Sequence, residues 1–180
     1  MSPFSSEEST RIEIRGQKIL IAALAIGQLF FAAIALVVQW NREETKSFTT
    51  SYVLAALGAM MFPAAWIYGN TIAKKQRERI ATGTWTENSP AAIATSTSPA
   101  TTDGDRLLRV WRAKSLGEGS FVQAAAFMAL IAYITEGQLW VLAVAAFSLM
   151  ILLVRFPTYE RAESWVLQQL DLMEIEKRHA

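Results

Sequence analysis

Glu118 is the carboxylate best placed for chemistry in this chain. It sits in Leu116-Gly117-Glu118-Gly119-Ser120, just ahead of an uncharged apolar run at residues 121–134. An acid at a membrane surface can bind a cation, and Arg112 or Lys114 is close enough in sequence to pair with it. The position favours a simpler role, a first-turn acid stabilised by the helix N-terminal dipole by about 0.3–1 kcal/mol. Gln28 and Gln123 are the only carboxamides inside the apolar runs. A carboxamide in lipid needs a partner, so both are expected to fasten helices by hydrogen bonds; lining a polar path is the rarer use. Pro63 lacks an N–H, and it is expected to release the carbonyl of Ala59 and kink its helix.

Other chemistry is scarce. The chain has no Cys and one His, His179, which removes thiolate sites, disulfides and most His-dependent triads and zinc sites. The sequence contains no phosphate-cradling glycine loop, metal-ligand spacing, nucleophile elbow or paired intramembrane acids. It therefore reads as a non-enzyme, with no cofactor or metal and no nucleic-acid partner.

The elements that carry these residues are plain. Four runs, residues 19–38, 52–68, 121–134 and 139–154, hold no Asp, Glu, Lys, Arg or His. The first has the length of a bilayer-spanning helix, about 30 Å. The third is short and is expected to recruit residues 116–120, which sets Glu118 near the membrane surface. Hydrophobic residues make up 52% and charged residues 18%, below the quarter usual in soluble chains, so the composition agrees with a membrane protein. The acids Glu7, Glu8 and Glu13 before the first run, and its length, argue against a cleaved signal peptide. All four Tyr, with Trp40, Trp66, Trp111 and Trp140, fall near run ends, where amphipathic rings prefer to sit.

Charge orients the spans. Lys and Arg number 3 in residues 1–18, 8 between the second and third runs and 4 after the fourth; the two other connections hold only Arg42 and Lys46. Positive charge collects on the cytoplasmic side, so both termini and the long middle connection are expected inside, in a bacterial inner membrane.

The fold class read from this pattern is an all-α integral membrane protein: four transmembrane helices as two hairpins, plus a C-terminal amphipathic helix. Its parts are a cytoplasmic segment 1–18, hairpin 19–69, cytoplasmic loop 70–114, hairpin 115–157 and cytoplasmic helix 158–180. Within the loop, Lys74, Lys75, Arg77 and Arg79 extend the second span as a basic stalk. Residues 82–105, rich in Ala, Thr, Ser and Pro, read as a disordered tether. Arg106, Arg109 and Arg112 take one side of a following helix, opposite Leu107, Leu108, Val110 and Trp111. These seven basic residues are assigned to the lipid surface, as a positive-inside anchor or as a stripe on an anionic leaflet. In the tail, Ala162, Val166, Leu170 and Met173 form one stripe beside Trp165. It suits either a groove on a membrane-protein partner or packing against the stalk or a sister subunit, the second being preferred. Small-residue pairs Ala23/Gly27, Ala55/Ala59 and Ala125/Ala129 permit close helix approach.

Gly27-Gln28-Leu29-Phe30 echoes Glu118-Gly119-Ser120-Phe121, and Phe62-Pro63 echoes Phe156-Pro157, as a duplicated hairpin would. Two Ala-rich hairpins with Glu118-Gly119-Ser120-Phe121 opening the third span resemble the four-helix proteolipid (subunit c-like) proteins of rotary ATPases. That resemblance implies ion carriage by a carboxylate deep in the second or fourth helix. Residues 52–68 and 139–154 hold none, so it implies a relative that has lost ion translocation. The function expected is an accessory or scaffold subunit of a membrane assembly, touching the bilayer and a homo-oligomeric or membrane-protein partner. The alternative is a small transporter or channel with a path between the hairpins.

Overall fold

The structure, a computed structural model, describes Phe4 and residues 7–40, 49–86 and 100–179. Among the described residues five α-helices follow one another: α1 Glu7–Trp40, α2 Thr49–Ala81, α3 Asp103–Glu136, α4 Leu142–Val154 and α5 Tyr159–His179, with a 3-10 turn at Leu139–Val141 before α4. No strand occurs among the described residues. Three helices, α1 to α3, are long and apolar enough to cross a membrane, and the Leu139–Val154 segment taken with the one after it gives a fourth candidate.

Local chemistry accounts for the helix ends. α2 stops at Gly83, whose φ of 70° suits a residue without Cβ. The Thr84 N–H donates to the Arg79 carbonyl (2.9 Å) and the Gly83 N–H to the Ile80 carbonyl (3.2 Å), the paired bonds of a Schellman stop. α3 starts on a reciprocal cap. The Asp105 N–H donates to Thr102 Oγ1, and the Thr102 N–H donates back to the Asp105 carboxylate. It ends at Gly137, also at φ 70°, whose N–H donates to the Tyr133 carbonyl (2.8 Å). Thr158 caps α5 directly after Pro157. Helix therefore reaches three residues into the segment expected as a tether, from Asp103, because Thr102 and Asp105 form the cap. Residues 87–99 of that segment lie outside the described residues.

Backbone proximity divides the chain into two compact units. One comprises Met1–Ile19, Tyr68–Gly117 and Pro157–Ala180; the other comprises Leu20–Ile67 and Glu118–Phe156. The first holds 26 of the 33 charged residues. Its core gathers Ile14 of α1, Ile80 of α2, Leu107, Leu108, Val110 and Trp111 of α3, and Ala162, Val166 and Met173 of α5. The amphipathic stripe read in α5 is buried against this unit.

In the second unit the apolar residues face outward. Ile26, Phe30, Val37, Met60, Trp66, Met150 and Leu153 are all exposed, while Gln28, Ser51, Gln123 and Ser148 are buried. That is the reverse of a water-soluble domain and the arrangement that suits lipid. α3 is the central helix: 56% of its apolar window is buried, against 17% for α1 and 22% for α2. Ala125, Ala129 and Ala132 on α3 have no exposed surface. A Cβ built on Gly58 of α2 would lie 3.3 Å from the Ala125 carbonyl oxygen, so α2 and α3 approach backbone to backbone. Of the three small-residue pairs read from spacing, only Ala125/Ala129 is buried. Ala23, Gly27 and Ala59 are exposed, and the α2 contact uses Ala55 and Gly58 instead.

Candidate functional site

The polar side chains buried in the second unit gather at a few helix ends and crossings. Gln28 is buried on α1, and its Nε2 donates to the Ala145 carbonyl of α4 at 2.7 Å. That bond joins segments 117 residues apart. Its Oε1 has no protein partner, nor does Oε1 of Gln123, which is buried on α3. Pro63 lies within α2, which is helical on both sides of it, and is exposed on the outer face.

Glu118 is buried where α3 enters the second unit. Its Oε2 accepts a hydrogen bond from Arg155 Nη1 at 2.9 Å, from the residue that ends α4. The sequence does not mark Arg155 as this partner; its spacing points to Arg112 and Lys114. Arg112 instead forms an ion pair with Glu13 of α1 at 3.3 Å in the first unit.

Two further residues at the far end of the second unit escaped the sequence reading. Gln39, near the end of α1, donates from Nε2 to the Tyr133 and Ile134 carbonyls at 2.6 Å each. Those carbonyls belong to the last turn of α3, where the helix leaves acceptors unsatisfied. Glu136, the last residue of α3, accepts the Thr50 and Ser51 backbone N–H groups on its two carboxylate oxygens, both at 2.8 Å. These N–H groups open α2, where the helix leaves donors unsatisfied and favours a negative charge. The end of α3 thus caps α2 while α1 caps α3. No spacing rule finds such a cap, since Glu136 and Ser51 are 85 residues apart.

The seven basic residues assigned to the lipid surface divide. Lys74, Lys75 and Arg79 are exposed on α2. Arg77 reaches α5, donating to Gln169 Oε1 (3.1 Å) and Glu176 Oε1 (2.6 Å). Arg106 pairs with Asp103 at 2.9 Å and lies over the Trp85 ring, 5.6 Å from its centroid. Arg109 and Arg112 are only 8% and 6% exposed, which corrects their assignment to a lipid-facing stripe. The α3 segment from Leu107 to Arg112 is buried on all sides, because α1, α2 and α5 supply the same core.

What this arrangement does chemically is hold helices together. Ion pairs, capped termini and a carboxamide-to-carbonyl bond engage Gln28, Gln39, Arg112, Glu118 and Glu136. Comparison with known proteins returns nothing: no family model, no curated protein and no solved structure matches the chain.

Proposed function

We propose that the chain is a four-span membrane protein, two hairpins with both termini cytoplasmic, acting as a non-enzymatic accessory or scaffold subunit of a membrane assembly. The observation that carries this reading is the use of its polar groups. Gln28, Gln39, Glu118 and Glu136 each bond to another helix or helix end. The outward apolar face of the second unit supports insertion, and the Lys and Arg count supports the orientation and a bacterial inner membrane. Kinship with the proteolipids enters only as an arrangement of hairpins without the ion-carrying acid.

A partner, another protein or a second copy, would use the outer side of α5. Leu167 and Ile175 are 43% and 52% exposed there, eight positions apart on one helix side. Deleting the helix would remove Val166 and Met173 from the first unit's core, so point substitution is the cleaner test. Pull-down of the tagged protein from mild detergent should recover a partner or a second copy. Leu167→Asp with Ile175→Asp should lose it without loss of folded protein. A monomer that recovers nothing refutes the scaffold reading.

The transporter reading retains one observation in its favour: the Gln28 and Gln123 carbonyl oxygens are buried without protein partners, as groups lining a polar path would be. Solute or ion flux in proteoliposomes that disappears in Gln123→Leu would favour it over the scaffold.

A further inference from the structure

The first unit contains an open cavity of about 440 Å³ lined by Arg11, Ile14, Arg15, Lys18, Tyr159 and Glu160. Arg11, Arg15 and Lys18 follow one another along α1 at spacings of four and three, which places them on one helix face. Ile14 is buried. Tyr159 and Glu160 come from the first turn of α5.

Three cations against one carboxylate leave the cavity a net charge of +2. Arg11 is steadied over the Tyr159 ring, 5.8 Å from its centroid. Its ion pair with Glu7 spans 4.0 Å between side chains 72% and 62% exposed, a solvated contact that competes weakly for its charge. Among the described residues no carboxylate lies within ion-pairing distance of Arg15 or Lys18. Elsewhere in the same unit Arg77, Arg106 and Arg112 all have acidic partners. Arg15 and Lys18 are thus available to an outside anion, as are the exposed Lys74, Lys75 and Arg79 elsewhere in the unit, and only the former line a cavity.

We infer that this cavity binds a phosphate ester, with Arg11, Arg15 and Lys18 on the phosphate oxygens. Glu160 accepts a hydrogen bond from the alcohol portion, which selects a head that carries a donor. The lipid source follows from the membrane orientation proposed above, on which this step rests. It puts residues 1–18 at the cytoplasmic leaflet, where anionic headgroups collect and basic pockets bind them. The inference is independent of the scaffold role.

Titration calorimetry of the full chain in nonionic detergent tests it, with short-chain phosphatidylglycerol, short-chain phosphatidylcholine and glycerol phosphate as probes. Phosphatidylglycerol should bind saturably and phosphatidylcholine roughly tenfold more weakly, since choline has no donor for Glu160 and the lipid no net charge. Arg15→Gln with Lys18→Gln should weaken phosphatidylglycerol roughly thirtyfold, the combined effect of two interfacial cations. Lys74→Gln with Lys75→Gln, outside the cavity, should stay within about twofold of the wild type, as should the charge-conserving Arg15→Lys with Lys18→Arg. Tighter binding of phosphatidylglycerol than of glycerol phosphate identifies a lipid site; equal binding identifies a soluble phosphate ester in the same cavity. The glycerol phosphate arm needs no bilayer, so failure of the membrane reading is distinguishable from failure of the site. Absence of saturable binding by both anionic probes overturns the inference. So does equal weakening in the two Gln double variants, which would mean diffuse attraction to surface charge.

Discussion

Replacing Glu136 with Ala should be among the most damaging single changes to the second unit, because its carboxylate caps a helix that starts 85 residues away in sequence. Its carboxylate accepts two N–H groups of the first turn of α2, both at 2.8 Å. Thr50 is exposed, so its orphaned N–H can be rehydrated; Ser51 has no exposed surface, so its N–H cannot. An orphaned buried donor costs about 1–3 kcal/mol. The lost charge at the helix N-terminus adds about 0.3–1 kcal/mol. The total for Glu136→Ala is then about 1–4 kcal/mol. Glu136→Gln keeps one acceptor oxygen and should cost about half as much. Two controls separate this mechanism from general disturbance. Ser51→Ala keeps the N–H and removes a hydroxyl with no protein partner, so it should be neutral or slightly stabilising. Glu174→Gln breaks an exposed ion pair with Arg178 and should change stability by less than about 0.5 kcal/mol. Unfolding by SDS in mixed micelles, followed by Trp fluorescence, gives the order Ala, Gln, wild type. A Glu136→Ala protein as stable as Glu174→Gln would refute the capping argument, and so would a Gln variant less stable than the Ala variant.

Other substitutions follow from the same geometry. Gly117→Ala would set a Cβ 2.1 Å from a Tyr68 ring carbon, so a ring must move; it should cost about 1–3 kcal/mol despite alanine's better helix propensity. Gly119→Ala, whose nearest neighbour is the flexible tip of Ile21 at 3.4 Å, should be tolerated or stabilising, and thermal unfolding in detergent separates the two. Glu13→Leu leaves Arg112 buried without this partner and should cost about 3–5 kcal/mol, while Glu13→Leu with Arg112→Leu should recover part of that loss in a double-mutant cycle. Gln28→Leu removes one interhelical bond and should cost only about 0.6 kcal/mol by SDS unfolding, the usual value for such bonds in membranes.

The helices were legible because uncharged runs of membrane length leave few alternatives, and α5 because its apolar positions recur at helical spacing. The Gly83 stop of α2 and the Thr102–Asp105 start of α3 were not read, because both lie in a segment whose Ala/Thr/Ser/Pro composition reads as a tether. Burial was harder to read. The spacing of Arg106, Arg109 and Arg112 says that they share a helix side, but says nothing of what covers it; Glu13 of α1 and the α5 core decide that. Gln28 could be read as an interhelical donor, since lipid offers it no partner. Its acceptor, the carbonyl of Ala145, is a backbone group that any residue supplies, so no sequence signal marks it. The same holds for Glu136 and Gln39. Arg155 was hidden for another reason: it meets Glu118 only because the turn at Gly137 and Leu139–Val141 brings α4 back along α3.

The membrane topology underlies both the proposed function and the phosphate site, and the sequence makes it easy to test because the chain has no native cysteine. Single cysteines at Lys46, Gln138 and Thr95 can be exposed to a membrane-impermeant maleimide in intact cells and again after permeabilisation. With both termini inside, labelling is expected at Lys46 and Gln138 in intact cells, and at Thr95 only once the membrane is opened. Labelling of Thr95 from outside, with Lys46 and Gln138 protected until permeabilisation, would contradict it.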